Sequence, residues 1–252
     1  MPSILLVTND FGPRAGGIET FIIGLLERMP KGEVIVYTSR QSGSESFDKR
    51  WLESYGVRVI RDSSKILLPS PRVIRAVRKV IKQSKVEKIW FGAAAPLALS
   101  ARFLRVGNVK KIVALSHGHE VWWSKVFPFN LAMKEIARSV DALTFLGDYT
   151  GSVIKKNFKG RAKLLKIAPG IDINHFKPER DLSKISEVRS ELKIGSEPLI
   201  LSVGRLVHRK GQDKLITAMP KILARRPDAK LLFIGQGPRK AKLDSLIAKY
   251  GI

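Results

Sequence analysis

Arg205 and Lys210 follow the apolar run Leu199 to Val203 and lie five residues apart in the segment VGRLVHRKGQD. The run predicts a buried strand and the residues after it predict a helix, so both cations fall at a strand-to-helix junction. Free N–H groups at the start of a helix attract anions, and two cationic side chains would suit a highly charged anion such as a nucleotide diphosphate. The alternative is that both residues are ordinary solvated charges, and the spacing alone does not decide between the two interpretations.

A glycine-rich segment, Asn9 to Gly17, follows the short apolar run Ile4 to Val7 and precedes a helical pattern. Its glycines do not fit the dinucleotide motif G-x-G-x-x-G, and the two residues after Gly17 are not the Lys and Ser/Thr of a P-loop. The pair Gly16 and Gly17 would let the backbone approach a ligand closely, which a Cβ atom would prevent. A plain tight turn is the alternative interpretation.

Five ordered segments, TNDFGPRAGGIE, WFGAAAPLAL, SHGHEVWW, PGIDINHF and VGRLVHRKGQD, resemble motifs of the retaining glycosyltransferases of family 4. The resemblance extends along the whole chain, and within the family it is strongest to the phosphatidylinositol mannosyltransferases. It implies a GT-B fold, in which two Rossmann-like domains close on a nucleotide sugar. It also implies transfer of mannose from GDP-mannose to a phosphatidylinositol mannoside with retention of configuration, with another sugar and acceptor as the alternative.

The resemblance assigns roles to individual residues. The donor would be bound by Gly16, Gly17, Gly204, Arg205 and Lys210. Arg205 and Lys210 would also be catalytic, because they would stabilise the charge that develops on the departing GDP. No metal or other cofactor is expected, since these cations would replace a divalent ion and the chain has no Asp-x-Asp motif.

His117 is the third expected catalytic residue, placed by the resemblance near the reacting sugar and the acceptor. It follows the apolar run Ile112 to Leu115, which would bring it to the carboxyl edge of a sheet, where open α/β sheets bind ligands. A structural histidine at a strand end is the alternative.

The composition predicts an anionic partner. Lys and Arg number 46 against 22 Asp and Glu, which gives a formal charge of +24 and a pI near 10.5. The chain has no cysteine, which suits a reducing cytoplasm. No signal peptide is expected, because the first apolar run is only a strand's length before Asn9 and Asp10. No membrane span is expected, because the longest apolar stretch, Trp90 to Ala101, is interrupted by Pro96 and is too short to cross a bilayer. The expected location is the cytoplasm, peripherally on the inner face of the cell membrane.

The segment Pro71 to Lys85 predicts a basic amphipathic helix, with an apolar stripe at helical spacing and cations on the other faces. Such a helix can lie on an anionic lipid surface. For an arbitrary protein, a stripe buried in the core is favoured. The resemblance reverses this preference, because related mannosyltransferases dock on the membrane through a basic helix in this region. The residues expected to contact the membrane or the acceptor are Ser70, Arg72, Arg75, Arg78, Lys79 and Lys82.

Nucleic-acid binding is the alternative from another class, because clustered basic residues also bind a phosphate backbone. The sequence has no zinc-ligand spacing, no RNP-like aromatic platform and no convincing pair of recognition helices. We therefore expect no nucleic-acid partner.

Apolar runs alternate with helical or loop segments and predict an α/β fold with a mainly parallel sheet covered on both faces. The predicted strands of the first domain are Ile4 to Val7, Val34 to Tyr37, Val57 to Ile60, Ile89 to Phe91, Ile112 to Leu115, Ala142 to Leu146 and Leu164 to Ile167. The aromatic residues of the segment 122–129 are expected on a loop, either in the core or in contact with lipid.

The predicted domains are an acceptor- and membrane-binding Rossmann-like domain at 1–168, a linker at 169–195 and a nucleotide-sugar domain at 196–252. The last range suffices for two strand-helix units, whereas a Rossmann-like domain has about six strands. The expectation is therefore that the second domain is partial and that the chain as given has little or no transferase activity.

Overall fold

The computed structural model describes residues 2–158 and 162–252, which divide into two compact units, Met1–Ile171 and Asp172–Ile252. Both units are built from alternating strands and helices. One helix of the second unit, Leu182–Glu191, lies inside the segment interpreted as a linker. The domain limits derived from the sequence stay a prediction.

The first unit contains short strands that alternate with helices. Its strands are β1 (Ile4–Thr8), β2 (Val34–Thr38), β3 (Arg58–Arg61), β4 (Lys88–Phe91), β5 (Lys111–Leu115), β6 (Ala142–Phe145) and β7 (Lys163–Lys166). Its helices are α1 (Gly17–Leu26), α2 (Ser44–Tyr55), α3 (Pro71–Ser84), α4 (Ala101–Leu104), α5 (Glu120–Lys125), α6 (Phe129–Ser139) and α7 (Asp148–Ile154). Every strand predicted for this unit is present to within two residues.

Within the described residues, these seven strands form one parallel sheet in the order β3-β2-β1-β4-β5-β6-β7. Strand β1 is central, with Leu6 opposite Val36 of β2 on one side and Trp90 of β4 on the other. The strand order reverses at β1, because β2 and β3 extend to one side and β4 to β7 to the other. The connections after β1 and β4 therefore diverge and leave a crevice at the carboxyl edge between them.

The sheet is covered on both faces, as the apolar strands predicted. Leu5 and Val7 belong to one buried cluster, which also contains residues of α3, α4 and α6. Leu6 points the other way, into a second cluster with residues of α1 and α2. Because successive residues of a strand face opposite sides, strands β1 to β5 contribute to both clusters, whereas β6 and β7 contribute to the first.

Helix α3 confirms the predicted amphipathic segment and shows where its apolar stripe lies. Ser70 caps its first turn by accepting a hydrogen bond from the backbone N–H of Val73, and Pro71 occupies the first helical position. The apolar residues of the stripe are buried in the core: Val73, Val77, Val80 and Ile81. The core interpretation of the stripe is therefore correct, and only the cationic face of the helix meets solvent.

The second unit contains the helices α8 (Leu182–Glu191), α9 (Gln212–Leu223) and α10 (Lys240–Tyr250), and the parallel strands β8 (Leu199–Val203) and β9 (Lys230–Ile234). Its core lies between this pair of strands and α9 and α10, around Leu206, Ile216 and Leu243. Strand β8 has the predicted bounds, but the prediction that it is buried is wrong for Leu201 and Val203, which are exposed. Within this unit the helices cover one face of the strand pair, and the period of two puts these side chains on the other.

The prediction of a loop at 122–129 is also wrong. Trp122 and Trp123 lie in α5, and Phe129 begins α6, so only the short connection around Phe127 is irregular. No helix in the described part of the chain combines the length and the apolar character that crossing a bilayer requires.

Candidate active site

The candidate site lies at the carboxyl edge of the sheet, where loops from three strands meet. The loop after β1 leads to α1, the loop after β4 begins at Gly92, and the loop after β5 carries His117. The ring of Phe21, on α1, lies edge-on to the His117 ring at 5.7 Å between centroids. The fold thus brings the glycine-rich segment and His117 together in one region of the first unit.

The start of α1 is open to a ligand. Gly16 precedes the helix in an extended conformation and makes no side-chain capping bond. A Cβ atom at Gly17 would meet no atom within 4 Å, whereas one at Gly16 would overlap the carboxylate of Glu19. The first N–H groups of a helix favour an anion. Space for a ligand therefore exists beside Gly17, and the absence of a side chain at Gly16 makes room for Glu19.

Acidic and basic side chains surround this helix start. Arg14 donates two hydrogen bonds to Glu19 Oε1, at 2.9 Å from Nε and 2.7 Å from Nη2. The same guanidinium lies 3.5 Å from Asp10 Oδ1. Burial, and then the nearby Glu19 carboxylate, raise the pKa of Asp10 above its usual value. The region therefore combines hydrogen-bond acceptors with a cation, a combination that suits hydroxyl groups and an anion.

His117 has a tautomer set by its neighbours. Its Nε2 lies 2.7 Å from the backbone carbonyl oxygen of Gly92. A carbonyl can only accept a hydrogen bond, so Nε2 carries the proton and Nδ1 of the neutral ring is left as an acceptor. A hydrogen-bond acceptor at the edge of the sheet can hold a substrate hydroxyl or take its proton.

Glu120 fixes the loop that carries His117. This carboxylate is fully buried and accepts hydrogen bonds from Ser116 Oγ at 2.9 Å and from the backbone N–H of His117 at 3.2 Å. His119 Nε2 lies 3.2 Å from Glu120 Oε1 and 3.1 Å from the carbonyl oxygen of Ala95. Glu120 therefore positions both histidines.

Asn9 and Arg61 fix the loops next to the site through hydrogen bonds to backbone groups. Asn9 exchanges two hydrogen bonds with the backbone of Leu67, at 3.0 and 2.7 Å. Arg61 donates to the carbonyl oxygen of Gly12 at 2.7 Å and pairs with Asp48 at 2.7 Å. The glycine-rich loop is thus tied to β3 and to the segment that leads into α3.

Ser70 and Arg72, expected to contact the acceptor, have structural partners. The Ser70 hydroxyl caps α3 and makes no other hydrogen bond to the described residues. Arg72 donates to both oxygens of the buried Asp62 carboxylate, at 3.0 and 2.7 Å, and Tyr37 donates to the same group. Although burial favours its neutral form, hydrogen bonds from Arg72, Tyr37 and Ser64 hold the pKa of Asp62 well below its usual value.

The other expected membrane residues lie along the solvent face of α3. Arg78 donates to the backbone carbonyl oxygen of Phe103 at 2.6 Å, and Arg75 donates to that of Pro71 at 3.2 Å. Lys79 and Lys82 are exposed and make no ion pair with the described residues. This face is therefore cationic, and its four cations have no acidic partner among the residues that the structure describes.

Gly204, Arg205 and Lys210 lie in the second unit. Gly204 follows β8 with φ of +152°, and the Lys210 side chain passes beside it, with Cε 3.8 Å from where a Cβ atom would stand. Lys210 ends a short 3₁₀ turn, and Gly211 with φ of +71° precedes α9. The Arg205 and Lys210 side chains are exposed and form no ion pair within the described chain. The predicted strand-to-helix junction is confirmed, and both cations are free to meet an anion.

Comparison with protein-family models decides the family. Residues 15–175 match the model described as Glycosyltransferase Family 4, and residues 183–252 match Glycosyl transferases group 1. The chain belongs to glycosyltransferase family 4. Gly16, Gly17, Glu19, His117, His119 and Glu120 lie within the first match, and Asp10 and Arg14 precede it.

Two bacterial relatives of this family 4 chain are similar over nearly all of it. The chain is 37% identical over 250 residues to the GDP-mannose-dependent α-(1-6)-phosphatidylinositol monomannoside mannosyltransferase of Mycolicibacterium smegmatis, covering 99% of the chain and 65% of that protein. It is 36% identical over 245 residues to the GDP-mannose-dependent monoacylated α-(1-6)-phosphatidylinositol monomannoside mannosyltransferase of Corynebacterium glutamicum, covering 96% of the chain and 63% of that protein. The chain thus spans about two thirds of the length of these curated relatives.

Solved structures support the fold. HepE of Anabaena, in complex with UDP and glucose, matches with a TM-score of 0.73 at 18% identity, over 100% of this chain and 67% of that one. Sucrose-phosphate synthase of Thermosynechococcus elongatus matches with a TM-score of 0.72 at 18% identity, over 100% and 68%. The family 4 chain therefore has the α/β fold of GT-B type that the resemblance implied.

Sequence reasoning missed several polar residues of this family 4 crevice. Asp10, Arg14 and Glu19 stand inside or beside the glycine-rich segment, and Glu120 follows His117 by three residues. The available signal was the position of charged residues directly after predicted strands. No three His, Asp or Glu side chains of residues 2–158 and 162–252 are grouped as a metal ion would need.

Proposed function

We propose that this family 4 chain transfers a mannosyl residue from GDP-mannose to a phosphatidylinositol mannoside with retention of configuration. The observation that carries the proposal is 37% identity over 99% of the chain to a protein with that named donor and acceptor. The crevice supports it, because its open helix start suits a phosphate and its carboxylates suit sugar hydroxyls.

The residues of the first unit would position the reacting groups. Gly16 and Gly17 allow the donor phosphates and sugar to approach the start of α1. His117 Nδ1 accepts a hydrogen bond from a hydroxyl of the sugar or of the acceptor.

Arg205 and Lys210 of the second unit, with Gly204 beside them, bind the diphosphate and stabilise the negative charge that grows on it as the glycosidic bond breaks. The proposed reaction uses no metal cofactor.

The proposed lipid acceptor requires the protein to reach a membrane, peripherally on its inner face. Since the apolar stripe of α3 is buried, the contact made by this helix is electrostatic. Arg75, Lys79 and Lys82 would meet the anionic headgroups, each worth about 1 kcal/mol near the surface. Arg72 is hydrogen-bonded to Asp62, so Arg72 would bind the acceptor only after this ion pair rearranges.

The proposal is tested by transfer of labelled mannose from GDP-mannose to phosphatidylinositol monomannoside in anionic vesicles. The assay is run with the 252-residue chain and with any longer reading frame that contains it. Because the chain spans about two thirds of the length of these relatives, we expect little or no product from the 252 residues alone. A longer frame should give an α-linked dimannoside product, retain its activity in EDTA and make little product from UDP-glucose. Preference for a UDP-sugar would favour the alternative donor, and absence of both transfer and GDP-mannose binding would overturn the proposal.

A further inference from the structure

A second exposed surface of the first unit is apolar and is formed by helices other than α3. Four large side chains form this aromatic patch: Trp122 (53% exposed), Phe127 (74%), Leu131 (51%) and Tyr149 (66%). They belong to α5, to its connection with α6, to α6 itself and to α7. The proposed function uses none of them, and the sequence left open whether the aromatic residues of 122–129 lie in the core or contact lipid.

Contacts with neighbouring rings and a hydrogen bond between helices fix several side chains of the patch. The Trp122 ring lies 4.7 Å from the Phe129 ring, which is 5.0 Å from the ring of Trp123. Trp123 in turn packs against the main core of the unit. Lys125 Nζ donates to the Tyr149 hydroxyl at 3.1 Å and links α5 to α7. The exposed rings of Trp122 and Tyr149 therefore belong to helices that contact one another, and Phe127 lies in the short connection between α5 and α6.

The patch borders the candidate active site. Helix α5 begins at Glu120, which positions His117 and His119, and Trp122 is two residues further on. The connection between α5 and α6 stands at the carboxyl edge, because α6 then runs back to the start of β6. A partner bound to the patch would lie next to the end of the crevice that holds His117.

The charges around the patch indicate what covers it. The segment 121–134 contains no acidic residue, and its cations Lys125 and Lys134 are exposed, as are Lys155 and Lys156 after α7. Asp148, beside Tyr149, is paired with Lys166. Trp and Tyr rings flanked by lysines favour the interface of a bilayer, where the rings sit among the headgroups and the cations meet anionic lipid.

The cationic face of α3 continues toward this patch through α4. Arg78 is bonded to the backbone of Phe103, and the Arg102 guanidinium lies 4.4 Å from the ring of Phe103. Helix α4 also contacts α6, and all three helices cover the same face of the sheet. Cations and exposed rings therefore share one helical layer.

We propose that the aromatic patch inserts into the headgroup region of an anionic bilayer and turns the His117 edge of the crevice toward the membrane. The proposal deepens the proposed function, since it gives a lipid-borne acceptor a direct approach to the site. It assigns two contributions to membrane binding, a salt-sensitive one from α3 and a salt-resistant apolar one from the patch.

The test measures co-sedimentation with phosphatidylcholine vesicles that contain phosphatidylglycerol and no acceptor lipid. Phe127→Ser and Leu131→Ser are compared with Leu52→Ser, a matched control that is 55% exposed on α2, on the opposite face of the sheet. Removing an inserted side chain should weaken binding about fivefold or more, since about 25 cal/mol is lost for each Å² of apolar surface. The control should stay within about twofold of the wild type by the same reasoning.

Salt and oligomeric state separate the possible occupants. The loss in Phe127→Ser should persist at high salt, where the contribution of the α3 cations is screened. Lipids brominated near the headgroup should quench less fluorescence in Trp122→Phe than in the wild type. Equal binding by Leu131→Ser and Leu52→Ser would overturn the proposal, and so would a change from dimer to monomer in Phe127→Ser, which would assign the patch to a second copy. Because the vesicles lack acceptor, a failure of mannosyl transfer would leave this result standing.

Discussion

At the scale of single residues, the carbonyl of Gly92 decides which nitrogen of His117 is available. His117→Gln can keep a donor near Gly92 but loses the acceptor at the Nδ1 position, whereas His117→Asn keeps an acceptor there and loses the Gly92 bond. If Nδ1 acts on a substrate hydroxyl, His117→Gln should lower kcat about a hundredfold, the scale of a lost general base. His117→Asn should retain more activity. Steady-state kinetics with folding checked by circular dichroism decides; equal activities would indicate a structural histidine.

Arg205 and Lys210 are the residues on which a second prediction rests. Both are exposed and unpaired within the described residues, so their substitution should leave the fold intact. If they act on charge that grows in the transition state, Arg205→Ala and Lys210→Ala, made in a longer frame that transfers mannose, should each lower kcat about a hundredfold and change KM less. Arg205→Lys should rescue only in part, because an ammonium lacks the planar fork that fits phosphate oxygens. Near-normal kcat in folded variants would show that the charges are merely solvated.

At the scale of elements, the pair Asp62 and Arg72 joins the segment after β3 to α3. The folded-state pKa of Asp62 is lowered, so its stabilisation is complete above the unfolded value of about 3.9 and is lost as the pH falls below it. Asp62→Asn should cost about 2–3 kcal/mol at neutral pH, because Arg72 and Tyr37 lose a charged partner. The difference from the wild type should shrink in acid. Urea unfolding at several pH values measures it.

Asp228→Asn provides the control for Asp62→Asn. Asp228 pairs with Arg226 on the surface, where both side chains are exposed. An exposed ion pair is screened by water and salt and contributes little to stability. A loss in Asp228→Asn as large as that in Asp62→Asn would contradict the explanation by burial.

Helix α3 makes an electrostatic prediction. Replacing Arg75, Arg78, Lys79 and Lys82 by Ser should weaken binding to anionic vesicles by up to about 1 kcal/mol for each charge, and less at high salt. The matched control replaces four cations of the α1 and α2 layer: Arg28, Lys31, Lys49 and Arg50. Equal losses in the two variants would show that total charge, and not the α3 face, governs binding.

At the scale of the whole molecule, the charge of +24 attracts any polyanion, so charge alone does not choose between lipid and nucleic acid. The arrangement of the exposed groups favours lipid, because large apolar rings accompany the cations around α5 and α6. We therefore expect binding to anionic vesicles to exceed binding to duplex DNA at matched salt. DNA binding should fall away as salt rises, while part of the vesicle binding persists. Stronger retention on DNA would favour the nucleic-acid alternative.

The sequence by itself determined the strands of the first unit and the family, but not the helices α5 and α8. Short apolar runs bounded by turns predicted the strands of the first unit, because a parallel strand buried on both faces must be apolar at nearly every position. The sequence also predicted that His117 follows the end of a strand and that α3 is amphipathic. These properties depend on neighbours in the chain, which a single sequence displays.

The tertiary structure decided which side each amphipathic element faces and which polar groups meet. The stripe of α3 could cover a core or a membrane, and only packing against the sheet shows that it is core. The sequence of β8 predicts a buried strand, yet the helices of the second unit cover one face of it and leave Leu201 and Val203 exposed. His117 meets Gly92 across 25 residues of sequence because β4 and β5 are neighbours in the sheet. Strand order is set by contacts between distant residues, which local periodicity does not record.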